Sequence, residues 1–155
     1  MFRRILLCYD ATREGRRALR EGADLARHYA AQAHLLAVLE REPGQWGADV
    51  GFAMPVDLAE QTAQDVLREG VECLSGSGLV ATGHFAVGNP VDVIARFAAE
   101  LNADLVVLGH HRRGAFARWW DGRDDRLLLD RVSCNVLVVP GPEVSAAEAP
   151  LHKAA

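Results

Sequence analysis

Five short apolar runs recur along the chain, and stretches of helical period separate them. The runs are Ile5-Leu6-Leu7-Cys8-Tyr9, His34 to Leu39, Leu79 to Val87, Asp104 to Gly109, and Asn135 to Val139 closed by Pro140. Runs this short and this continuous suit strands covered on both faces. Between them, the spacing predicts a helix over about 13–30, with Leu19, Ala23 and Ala26 on one face. A second begins at Pro55, carries Ala63, Val66, Leu67, Gly70, Val71 and Leu74 inward, and stops at Ser75-Gly76-Ser77-Gly78. A third starts at Asn89-Pro90, the asparagine as N-cap and the proline at the first helical position, with Ile94, Phe97, Ala98 and Leu101 as its buried stripe. A short helix around 122–132 precedes the last strand. Strand and helix alternation of this kind implies right-handed crossovers, hence an α/β domain with a five-stranded parallel sheet and helices on both faces.

The length of 155 residues fits one domain, and 50% hydrophobic with 25% charged residues fits a chain that buries a core. A net charge of −4 argues against general nucleic-acid binding. No apolar run reaches membrane-spanning length, and the arginine-led start lacks the features of a signal peptide, so a cytoplasmic protein is expected. Cys8, Cys73 and Cys134 form no paired motif, so three reduced, partly buried thiols are expected. Residues 41–54, rich in glycine, read as a loop, and residues 141–155 as a flexible tail.

In a parallel sheet, ligands sit beyond the carboxyl ends of the strands, where strand order reverses. Those ends are Asp10, Glu40, Gly88 and Gly109. Asp10 has two readings: a carboxylate that accepts from a ribose or base, or the N-cap of the first helix, a role Thr12 could also fill. The densest signal follows the fourth run: Gly109-His110-His111-Arg112-Arg113-Gly114, then Gly122-Arg123. Six arginines (112, 113, 118, 123, 126 and 131) face four aspartates (121, 124, 125 and 130) in this stretch. A phosphate or acidic-partner site and an internally salt-bridged loop fit it equally well. His110 and His111 lack the spacing of a metal set. Trp119-Trp120 marks a core or interface position. The few serines (Ser75, Ser77, Ser133 and Ser145) flank no plausible base, so no catalytic nucleophile is expected.

These residues together resemble the universal stress protein family over roughly residues 3–140. The first run ending in Asp10, Gly88-Asn89-Pro90 with Ile94, the fourth run with His111, Arg113 and Gly114, and Cys134 to Pro140 carry the resemblance, although the family more often has proline at position 135. It implies a Rossmann-like domain of the adenine nucleotide alpha hydrolase type. It also implies an adenine pocket that uses Asp10 and backbone near Val38, with ATP or AMP as the ligand. ATP-binding members cradle phosphates with a glycine, a second glycine three residues on, and a third ten residues later followed by Ser or Thr. Laid on this chain, Gly109 and Gly122 keep two elements, while Arg112 and Arg123 replace the other two. A bulky side chain at Arg112 obstructs backbone approach, and Arg123 removes a hydroxyl. The expectation is a stress-response or regulatory protein without efficient ATP binding; the alternative is an adenine-nucleotide sensor whose arginines hold phosphate. The family also implies homodimers paired through the last strand, here Val136-Leu137-Val138-Val139, an apolar edge that a monomer would leave bare.

Overall fold

The computed structural model describes residues 1–40, 56–110 and 128–141. Within them the order is β1 (Arg4–Cys8), α1 (Arg13–Tyr29), β2 (Gln32–Glu40), α2 (Val56–Gly76), β3 (Ala81–Gly88), α3 (Pro90–Glu100), β4 (Leu105–His110), α4 (Leu128–Arg131) and β5 (Asn135–Pro140). The strands form one parallel sheet in the order β3-β2-β1-β4-β5. Strand order therefore reverses between β1 and β4, and the carboxyl ends of those two strands flank the crevice where such sheets hold ligands.

Alternation along the strands builds two cores. Ile5, Leu7, Leu35, Leu105 and Val107 pack against Ala18, Leu19, Ala23 and Ala26 of α1 and Leu74 of α2. Leu6, Cys8, Leu36, Val106 and Leu108 turn the other way, toward Val93, Ile94 and Ala98 of α3 and Leu128 of α4. Ile5, Leu6, Leu35, Leu36 and Val106 are fully buried. This two-sided burial is why β1 and β4 read as unbroken apolar runs.

The helix ends follow local chemistry. Asn89 caps α3, accepting from the N–H groups of Val91 and Asp92, with Pro90 next in line, as its sequence predicts. Ala30 closes α1 in the left-handed region at φ 51°. The end of α2 explains a difference from the sequence reading. Leu79 and Val80 were expected to open the third strand, yet β3 begins at Ala81. Leu79 instead donates its N–H to Leu74 C=O at 3.0 Å, after Gly78 at φ 80°, and packs its side chain in the α1/α2 core. That is a helix-closing bond, so the residue terminates α2 before any strand can start. Asp104 likewise stands outside β4, its carboxylate accepting the N–H groups of Arg3 and Arg4 at 2.7 and 3.2 Å.

Of the thiols, Cys8 is buried and Cys134 half-buried, but Cys73 is exposed on α2, contrary to the expectation for all three. Among the described residues no helix is long and apolar enough to cross a membrane. The 41–54 loop, Arg112, Gly114, Trp119, Trp120, Gly122, Arg123 and the tail beyond Gly141 lie outside the described residues.

The seating of α1 is unusually close. A Cβ on Gly22 would stand 2.3 Å from Leu7 Cδ2 and 3.3 Å from Val107 Cγ1. Helix propensity alone makes Gly22→Ala stabilising by about 1 kcal/mol. Overpacking against two buried strands acts the other way and wins, for a net loss of about 1–3 kcal/mol. Urea denaturation of the two proteins decides the sign, and a stabilised variant would contradict this packing.

Candidate functional site

β1 stops at Cys8, but its ladder continues one step, with the Tyr9 N–H donating to Leu36 C=O at 3.0 Å. The chain then turns through Ala11 at φ 60° into α1. The cap of α1 is Thr12, not Asp10: the Thr12 side chain accepts from Gly15 N–H at 3.0 Å. Asp10 stands one step behind it. Its Oδ1 accepts from Thr12 Oγ1 at 2.7 Å and from Thr12 N–H at 3.1 Å. The carboxylate thus fixes the hydroxyl that fixes the helix start, and the capping role read for Asp10 belongs to Thr12. Gly15 makes room for it, since a Cβ there would lie 2.2 Å from Asp10 Oδ1.

Gly109 serves the same junction. It is on β4, opposite Val139 of β5. A Cβ at this position would meet the Glu14 carbonyl carbon at 2.7 Å, its oxygen at 2.8 Å and the Gly15 nitrogen at 2.9 Å. These are backbone atoms that cannot yield. The sequence suggests a glycine kept bare for a ligand; the structure shows it covered by the first turn of α1. Its lack of a side chain is already required by helix-on-strand packing.

Beside this junction opens a cavity of about 280 Å³, near the lower end of small-molecule pockets at roughly 300–1,000 Å³. Tyr9 and Asp10 border it from β1, Ala37, Val38 and Leu39 from β2, and Ala59, Thr62, Ala63 and Val66 from α2. The structure thus brings together Asp10 and Val38, two of the residues that sequence reading paired. Val38 packs against the α3-side core, so what it offers the cavity is main chain. Gly109 is not among the cavity walls, and Arg112, Gly114, Gly122 and Arg123 lie outside the described residues. A cavity of equal size lies between α3 and the start of β5, bordered by Ala98, Asn102 and Cys134. It sits at the amino ends of β4 and β5, the end where parallel sheets do not hold ligands.

Sequence reading passed over the floor of the first cavity. Tyr9 O–H donates to Glu69 Oε1 at 2.8 Å, and Arg16 donates to the same oxygen from Nε at 3.1 Å and Nη2 at 2.8 Å. The Tyr9 ring lies against Gly70, where a Cβ would come within 2.8 Å of it. This cluster joins α1 to α2 through Tyr9, which borders the pocket. A tyrosine between an apolar run and the strand-end aspartate was its only trace in the sequence. Burial, and then the bond to Glu69, push the Tyr9 hydroxyl up to about 12, against the smaller pull of Arg16. The same two donors hold the Glu69 carboxyl below its usual range. Cys8, enclosed and next to Asp10, is likewise pushed up to about 12 and stays a thiol.

Raising the tyrosine pKa favours the folded state below pH 10, where both states are neutral at this group, and that contribution fades as pH rises from 10 toward about 12. Tyr9→Phe removes a hydrogen bond worth about 0.5–1.5 kcal/mol at neutral pH. It also removes this part of the alkaline decline. Stability measured by denaturant at pH 8, 10 and 11.5 is expected to converge for the two proteins as pH rises. Cys8 titrates in the same window in both, so the difference isolates Tyr9.

Comparison with known proteins agrees with this architecture. The model of the universal stress protein family matches residues 1–140. Universal stress protein Sll1654 of Synechocystis sp. is 30% identical over 141 residues, covering 90% of this chain and 87% of that protein. A universal stress protein solved in complex with cAMP superposes with a TM-score of 0.67 at 20% identity, covering 89% of this chain and 97% of the other. A universal stress protein family protein from Arabidopsis thaliana with AMP bound superposes at 0.66 with 15% identity, covering 96% and 97%. The family match spans the whole sheet from β1 to β5, and the chain belongs to the universal stress protein family.

Proposed function

We propose that this protein is a homodimeric stress-response regulator that reads an adenine nucleoside monophosphate, neither binding ATP efficiently nor turning it over. One observation carries the reading: the cavity at the carboxyl ends of β1 and β2 joins the Asp10 carboxylate to the main chain at Val38 and a wall of small α2 side chains. An apolar cavity bordered by a carboxylate suits a base and ribose, with apolar walls for the base and one acceptor for hydroxyl or amino donors. Structural neighbours solved with cAMP and with AMP support the ligand class. Against a triphosphate stand Arg112 and Arg123, at the positions where ATP-binding relatives have glycine and a hydroxyl. Arg123 has no hydroxyl to hold a magnesium ion on the phosphates, so hydrolysis is not part of the reading.

The dimer rests on the sheet edge. β5 is a terminal strand of valines and leucine, with Val136, Leu137 and Val138 only half-buried within one chain. An apolar edge is covered most simply by its own copy about a two-fold axis. In sedimentation velocity the protein is expected as a dimer, and Val136→Lys as a monomer; a monomeric parent would refute this part.

Calorimetry with AMP, cAMP and ATP tests the ligand. AMP or cAMP is expected to bind more tightly than ATP, and near 100 times the dissociation constant to add about 2.7 kcal/mol of stability. Ala63→Phe fills the slot and should abolish the binding of all three. Arg112→Gly with Arg123→Ser should raise affinity for ATP alone. Heat from none of the nucleotides at millimolar concentration would overturn the proposal, as would ATP binding more tightly than AMP.

A further inference from the structure

On the opposite face of the sheet from the cavity, two imidazoles meet. His34 of β2 lies opposite Leu6 of β1, and Leu6 belongs to the α3-side core. His84 of β3 stands opposite Leu36 of β2, two residues on from His34. The diagonal brings His34 Nδ1 within 3.1 Å of His84 Nε2, with ring centroids 5.3 Å apart and the planes tilted by 36°. The rings do not float. His84 packs on Phe97 of α3 at 5.3 Å between centroids, and the Arg96 guanidinium covers that phenyl ring. Both histidines are half-buried beside an outer strand of the sheet.

We propose that His34 and His84 form a site for a borderline divalent transition-metal ion, of the zinc, nickel or copper class. The two rings are hydrogen-bonded at a separation that also suits a shared ion. Two nitrogens each about 2.0–2.1 Å from one metal stand roughly 2.9 Å apart at a right-angled site and roughly 3.4 Å apart at a tetrahedral one. The observed separation falls between these limits, so little movement is needed. Ligation requires each contacting nitrogen to present a lone pair. In the metal-free chain the 3.1 Å contact is a hydrogen bond in which one ring donates, so ligation moves that proton, through solvent, to the donor ring's far nitrogen and frees both facing lone pairs.

The surroundings select the class of ion. Among the described residues, Arg4 acts electrostatically on His34 and Arg96 stands over the Phe97 ring that packs on His84, and both are cationic. Magnesium and calcium, which depend on carboxylate and carbonyl oxygens, gain nothing here. Ions that bond covalently to imidazole do. No group of three or more His, Cys, Asp or Glu placed to hold a metal ion exists among the described residues. The two rings are the protein ligands that the described residues supply. Water completes the shell, with Thr82, opposite His34 in the strand register, next to it. The site is independent of the nucleotide cavity and stands or falls apart from it.

Calorimetric titration of the tag-free full chain with zinc and nickel chlorides, and with magnesium chloride as control, tests the site. One zinc or nickel ion per chain is expected, and no magnesium. His34→Asn and His84→Asn should each weaken binding about tenfold or more. A chain with His28, His110, His111 and His152 all changed to asparagine should keep the parent affinity. Should the single variants fold poorly, imidazole NMR of the parent chain gives the same answer: zinc should shift the His34 and His84 resonances first. Absence of binding, survival of binding in either single variant, its loss in the four-histidine variant, or zinc shifts confined to other histidines would each overturn the assignment.

Discussion

The first turn of α1 rests directly on β4, and everything at the carboxyl end of the sheet depends on that contact. Three glycines make it. Gly109 leaves β4 bare under Glu14, Gly15 leaves room for the Asp10 carboxylate, and Gly22 lets the middle of the helix settle on Leu7 and Val107. Each gives up a side chain and adds backbone entropy to the unfolded state, a cost of up to about 1 kcal/mol per residue. What is gained is a helix held at its start and middle, and a first turn whose position is set by hard backbone contact. Thr12 and Asp10 then occupy defined places because the helix they cap cannot lift away.

From this junction the cavity inherits its shape. Asp10 is fixed through Thr12, and Thr12 through Gly15 N–H. On the other side, Tyr9 reaches Glu69, and Arg16 reaches the same carboxylate, so α2 is tied to α1 and β1 below the opening. The Arg16–Glu69 pair is half-exposed and by itself contributes little. Its use is to fix the Glu69 carboxylate against a buried tyrosine hydroxyl. An acceptor at the rim, main chain at Val38 and small side chains from α2 are thus held by bonds made without any ligand. A site organised beforehand loses less freedom on binding.

Much of the fold was legible because its causes are local. Doubly covered strands wrote themselves as Ile5 to Cys8 and Leu105 to Leu108, and Asn89-Pro90 announced a helix start that needs no distant partner. What failed or stayed open depends on the third dimension. Leu79 is apolar beside a strand, and only the bond to Leu74 shows that it ends a helix. Gly109 looked like space left for a ligand, and only the packed α1 shows the space is filled. Asp10 and Thr12 were rival caps until their mutual hydrogen bond made them partners. The meeting of His34 with His84 could not be read at all, since strand register sets it and register is not written in either strand alone. For the pocket, Asp10 and Val38 border one cavity, whereas of its α2 wall only Ala63 and Val66 had been read, as part of the helix's apolar stripe.

The two edges of the sheet differ in a way that bears on the proposed assembly. β3 is an outer strand that exposes Thr82 and Gly83 and ends at Gly88 with φ 150°. Small, polar and glycine-interrupted sequence with backbone out of strand geometry is poor material for adding another strand. β5, at the opposite edge, is valine and leucine from 136 to 139. Its alternate side chains lie in different cores, Leu137 and Val139 toward α1 and Val136 and Val138 toward α3. A strand anchored on both faces keeps its outer backbone groups flat and regularly spaced. That is the edge a second copy can extend, and self-pairing there would leave β3, with His84, at the far ends of the joined sheet.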